Sequence, residues 1–136
     1  MPFEGVPLKT TLLPMGTRLF HGTDRPVKDW NPETQSIWLP AWFGLTLNIA
    51  VNYAKFQRSS ANGKPYVIEF VTTQPLELLD ASGDEMSEHM DELYDDLMVD
   101  EVAGEALAKG FEGWIIPNVE VMIGVDAMRF VKIHAV

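Results

Sequence analysis

At 136 residues and 15.3 kDa, with 46% hydrophobic residues, the chain can bury the core of a single domain spanning residues 1–136 without staples. It has no cysteine, which excludes disulfides, thiol nucleophiles and thiolate metal sites and suits a reducing compartment. The net charge of −10 is uneven, with seven Lys/Arg against four Asp/Glu in residues 1–64 and three against sixteen in 65–136, and so acidic a second half argues against nucleic acid as a partner.

The N-terminus shows no basic region followed by an apolar run, so an intracellular, cytoplasmic protein is expected. Residues 17–23, TRLFHGT, read as a short strand running from Gly16 into a turn at Gly22. Residues 24–36 contain two prolines among polar residues and read as a loop. From Thr34 to Ala54 the chain carries no charge, but Pro40, Gly44, Asn48 and Asn52 interrupt it. A membrane span needs about 20 predominantly apolar residues, so this run reads as buried core plus pocket.

Residues 46–59 read as a helix, with Thr46 or Asn48 as cap and Ile49, Tyr53 and Phe56 on one face. PYVIEFVTT, residues 65–73, alternates β-branched and aromatic residues as a strand does, and LELLD, 76–80, is a second strand. Asp84 to Glu105 holds ten of the twenty acids, with Met86, Met90, Leu93 and Leu97 at helical spacing. That predicts one amphipathic helix with an acidic face, solvated or, alternatively, docking a basic partner. VEVMIGV (119–125) and MRFVKIHAV (128–136) alternate as strands and are expected to pair as a hairpin. The fold class is therefore α+β.

Three polar residues stand among apolar or turn-forming neighbours: His21, Tyr53 and Glu120. Each alone has an ordinary structural role available, as a locally bonded imidazole, a core phenol and a solvated strand residue. Strand alternation puts Val119, Val121, Ile123 and Val125 on one face and Glu120, Met122 and Gly124 on the other. A carboxylate in that company lies beside open space, as a pocket requires.

Taken in order, LFHGT, WFGLTLNIAVNYA, GFEGWII and VEVMIGVDAMRFVKI resemble the ADP-ribosyltransferase superfamily, in its diphtheria-toxin and poly-ADP-ribose-polymerase-like branch. That branch carries a His, a Tyr and a Glu on three separate elements, and the resemblance runs from Arg18 to Ile133. It implies split antiparallel sheets with flanking helices, NAD as co-substrate, and cleavage of the nicotinamide–ribose bond. It assigns Glu120 to the oxocarbenium-like transition state, Tyr53 to stacking on nicotinamide, and His21 to a ribose hydroxyl. The backbone of Gly22 would hold the nicotinamide amide, because a residue without a side chain lets a ligand approach the main chain. Thr23 completes the HGT edge, and Thr46 stands where relatives place a Ser or Thr supporting the glutamate.

The activity implied is mono-ADP-ribosyl transfer to an unidentified acceptor, expected to be a protein. NAD hydrolysis, or NAD or partner binding without turnover, stays open on the same residues. Arginine-modifying relatives carry a second carboxylate two residues before the glutamate, where this chain has Asn118. Nor does it show the basic set that RNA 2′-phosphotransferase relatives use. An intracellular modifier, an effector or a virus-encoded protein acting in a host cell all suit such a chain. For a small anionic group, Arg18, Arg25, Lys28, Lys55 and Arg58 are available.

Overall fold

Strand identity follows from which faces are covered. β4 (Tyr66–Thr72) is buried at all seven positions, with β2 (Arg18–Thr23) and β8 (Met128–Ala135) pairing along its two edges. The computed structural model describes residues 3–23, 31–35, 37–56, 64–117 and 120–136. Among them the remaining strands are β1 (Thr10–Leu13), β3 (Ala41–Gly44), β5 (Leu76–Asp80), β6 (Gly113–Ile116) and β7 (Glu120–Ile123). The helices are α1 (Leu47–Phe56), α2 (Asp84–Asp96) and α3 (Val99–Ala108). The architecture is α+β, and the strands run in the order β1-β5-β6-β7-β3-β2-β4-β8.

Two separate antiparallel sheets were expected, and the arrangement differs. The eight strands are connected as one sheet, and β5 pairs with β6 in parallel. A parallel pair needs a long crossover, which α2 and α3 supply. The joint between β3 and β2 is a single residue pair, Phe20 with Gly44. On either side of that joint the halves β1-β5-β6-β7-β3 and β2-β4-β8 share one core, with Leu76, Leu78 and Ile123 from the first and Leu19, Ile68 and Phe70 from the second. A second core under α2 and α3 gathers Met86, Met90, Val102, Ala106, Trp114 and Met122.

The hairpin expected of the last two strands does not form. β7 lies between β6 and β3, while β8 pairs with β4 at the far edge of the sheet. Val121, Met122 and Ile123 are consecutive and all buried, so β7 is covered on both faces and central. β8 keeps Arg129, Lys132 and other residues exposed, the pattern of an edge strand. Residues 124–127 are thus a crossover between the halves. The connections β1–β2 and β4–β5 cross near the same place, and buried Thr72 ties them together. Its Oγ1 accepts from Thr17 N at 2.9 Å and donates to Pro14 O at 2.9 Å. Thr73 N donates to Ala127 O in the third crossover, 2.9 Å away.

The single acidic helix expected over 84–105 is two helices. Leu97 (φ −126°, ψ 146°) and Met98 (φ −71°, ψ 155°) are extended. Glu101 accepts from Met98 N at 3.1 Å and restarts the helix with a new axis. The break lets α2 bury Met86 and Met90 while α3 separately buries Val102 and Ala106.

Candidate active site

The site lies where the two halves meet. Gly44, the last residue of β3, pairs with Phe20 of β2 on one side and with Glu120 of β7 on the other. Three residues later α1 begins and runs back across β2. It comes so close that a Cβ on Gly22 would lie 2.2 Å from Ala50 O and 2.8 Å from Ala54 N. A Cβ on Gly44 would sit 3.0 Å from the Ile49 side chain. The space beside the Gly22 Cα therefore belongs to α1, which corrects the reading that it was left open for a ligand. The glycine permits the helix to dock, and the docked helix carries Tyr53 to the cavity.

That cavity has a volume of about 80 Å³. Its walls are Phe20, Trp42, Phe43, Ile49, Tyr53 and Glu120, closed by Gly22, Gly44 and Ala50. Among the described residues Glu120 is the one charged residue in this wall, and the phenol of Tyr53 and the indole N–H of Trp42 are its other polar side-chain groups. Burial first, and the negative charge of Glu120 second, push the Tyr53 phenol above its ordinary value. It therefore stays protonated and can donate a hydrogen bond near the carboxylate. An aromatic slot with one carboxylate suits a flat cation, which gains from the ring faces and from the opposite charge. At this volume the cavity holds several waters or one small ring and lies well below the size of pockets that enclose whole drug-sized ligands.

Of the residues singled out in the sequence, Gly22, Tyr53 and Glu120 come together in this wall. His21 does not join them. Alternation along β2 turns its ring to the opposite face, where it packs 5.6 Å from the Phe43 ring and pairs across to Ile68. Its Nδ1 lies 2.8 Å from Trp42 O. A carbonyl only accepts, so Nδ1 carries the proton and Nε2 keeps its lone pair. Among the described residues Nε2 has no hydrogen-bond partner, and it is not sealed from solvent. Desolvation lowers the His21 pKa, partly offset by the bond to Trp42, so the ring is neutral at pH 7. Its link to the cavity runs through Trp42, whose side chain lines the wall.

Thr23 ends β2 and Thr46 sits exposed just before α1, and neither lines the cavity. Asn118, and with it the acceptor-side position, lies outside the described residues, as do Arg25, Lys28 and Arg58. Arg18 is engaged elsewhere. Its Nη1 is 3.1 Å from Glu69 Oε2, and His134 Nε2 is 2.7 Å from Glu69 Oε1. Lys55 remains exposed on α1. The sequence reading missed Phe20, Trp42, Phe43, Gly44, Ile49 and Ala50. A signal for all but Phe20 existed in the uncharged run from Thr34 to Ala54, where WFG is followed by a helix with small residues. Among the described residues, no helix is long and apolar enough to cross a membrane.

In comparisons with protein-family models, with curated proteins and with solved structures, nothing matches this chain.

Proposed function

We propose that the cavity takes the nicotinamide ring of NAD and that the protein cleaves the nicotinamide–ribose bond, passing ADP-ribose to an acceptor, expected to be a protein. The observation that carries this reading is the meeting of Tyr53 and Glu120, from α1 and β7, in an otherwise aromatic and apolar slot. Oxidised nicotinamide is a flat ring with a positive charge, the chemistry that such a slot favours. NAD supplies a glycosidic bond whose electron pair leaves with the nicotinamide nitrogen, making that ring neutral.

The chain's own groups then act in order. Tyr53 packs against the ring, an aromatic contact adding roughly 0.5–1.5 kcal/mol. As the bond breaks, positive charge moves from the ring to the ribose, and Glu120 at the cavity wall faces the charge where it develops. A lone pair of the acceptor closes the new bond to the ribose carbon, and the acceptor's proton leaves to a base or to water. With water in that position the product is free ADP-ribose. The cavity fits one ring only, so the rest of the dinucleotide lies outside the walls described above.

Incubation with etheno-NAD, alone and with a cell lysate, tests the reading. Label on a protein band, or release of etheno-ADP-ribose, supports it, and the two results separate transferase from glycohydrolase. Neither product under any condition, together with a raised melting temperature in NAD, reduces the protein to a binding module. If NAD also leaves the melting temperature unchanged, the proposal fails.

A further inference from the structure

The cavity occupies one end of the β3–β7 ladder, and the other end holds a second concavity. There the chain enters β3 through Pro40 and leaves β7 through Gly124, and α3 lies alongside. Between them runs a groove of about 260 Å³. α3 turns Val102 and Ala106 into the core, yet it presents a second stripe to this groove: Asp100, Ala103, Gly104 and Leu107, spaced i, i+3, i+4, i+7. Leu39 and Pro40 form the opposite wall, with Phe111 and Val125 also lining it. A Cβ on Gly104 would meet nothing within 4 Å, so the middle of the stripe is open.

One large apolar lining side chain is left uncovered here, and a second stands next to the groove wall in the chain. Leu107 is 53% exposed, and Trp38, directly before Leu39, is 87% exposed, more than any other large hydrophobic among the described residues. Exposed tryptophan beside a formed apolar groove is the composition of an interaction anchor. The charges of the groove are of one sign. Asp100 and Glu112 line it, Glu101 and Glu105 continue along α3, and none of the described lining residues is cationic. Lys109, in the turn after α3, is the nearest cation along the chain.

We infer that this groove docks a cationic amphipathic segment of a partner protein, with a large apolar side chain seated between Leu39 and Leu107 and Lys or Arg residues meeting Asp100 and Glu112. The charge selects this occupant over others. A second copy would bring its own acidic face, in a chain of net charge −10, and an anionic lipid surface would be repelled.

Fluorescence anisotropy with three dye-labelled synthetic peptides of equal length tests the inference: one of Lys and Leu in amphipathic order, one with Ser for Leu, one with Glu for Lys. The Lys/Leu peptide is expected to bind saturably, and each of the others at least about tenfold more weakly. Leu107→Ser, Trp38→Ser and Asp100→Asn should each weaken the Lys/Leu peptide. The first two replace exposed side chains and so preserve the fold, which an unchanged melting temperature verifies. No binding of the Lys/Leu peptide overturns the inference. Equal binding of the Ser or Glu peptide, or full affinity in all three variants, does so too, because attraction to the acidic α2 surface would then suffice. The readout is peptide binding, so the result does not depend on whether NAD is turned over.

Discussion

The two halves of the sheet are built on different terms. In the half β1-β5-β6-β7-β3 the strands other than β1 are covered by the shared core within and by α2 and α3 outside, while the edge strand β1 leaves Thr10 and Leu12 exposed. The covered strands accordingly read as apolar runs, as in the buried LL of β5 and VMI of β7. The half β2-β4-β8 has α1 on its outer face and ends in the partly exposed strand β8. There β4 is buried at every position, and its carboxylate, Glu69, is tolerated because Arg18 and His134 meet it. One half is closed, the other half open, and they are joined by the single pair Phe20–Gly44. The cavity opens at that joint, because strands that part after one pair leave room for side chains from both halves and from α1.

The largest expected effect is at the joint. Glu120→Gln should lower NAD turnover by about a hundredfold to a thousandfold, the loss typical of removing one electrostatic stabiliser. The melting temperature should hardly move, since the side chain is partly exposed and the replacement is isosteric. Full activity in this variant removes Glu120 from the chemistry. Next is Gly22→Ala, which forces a methyl against the Ala50 carbonyl and pushes α1 off the open half. Chemical denaturation should show a loss of about 3 kcal/mol, with weaker NAD binding because Tyr53 moves with the helix.

Thr72→Val sharpens the comparison at the crossovers. It removes the hydroxyl that serves Thr17 N and Pro14 O in a buried setting, at a cost of about 1–3 kcal/mol by urea denaturation. In the closed half, Tyr94→Phe leaves the Trp114 indole N–H without its 2.8 Å acceptor. A loss of about 1–2 kcal/mol is expected there, with no effect on NAD turnover. The same hydroxyl is held protonated, its pKa pushed from 10.0 up to about 12 by burial despite the indole bond, so the variant should leave the stability profile unchanged below pH 10 and flatten the decline between 10 and about 12.

The smallest effect is a pH dependence. His21 has a folded-state pKa below the usual 6.5, so the unfolded chain takes up the proton first. Stability is therefore complete above pH 6.5 and declines as the pH falls from there through the folded value. Denaturation midpoints measured over that range should fall less steeply in His21→Gln. If the two slopes coincide, the imidazole is not held neutral as described.

How much of this was legible depended on the range of the interaction. The β-branched and aromatic residues of 65–73 specified β4, because strand preference is a property of each residue and its immediate neighbours, although the strand is buried at every position. Helix α1 and the facing of Glu120 were readable for the same reason. The partner of β7 was not readable, since MRFVKIHAV alternates equally well beside β7 or beside β4. The break at Leu97–Met98 was also hidden, because Met86, Met90, Leu93 and Leu97 keep helical spacing up to it. His21 was misplaced by its neighbours: HGT puts it next to Gly22 in the chain, and the pleat then sends the two to opposite faces.

By itself the sequence determined the α+β class, the acidic second half and the residue types able to meet a flat cation, since these follow from composition and from periods of two and 3.6 residues. Only the tertiary structure decided that Tyr53 and Glu120 share a wall, that His21 turns away, and that α3 borders a second groove. Those outcomes depend on which strands pair and on how closely a helix can approach a glycine, and both are set by contacts between residues far apart in the chain.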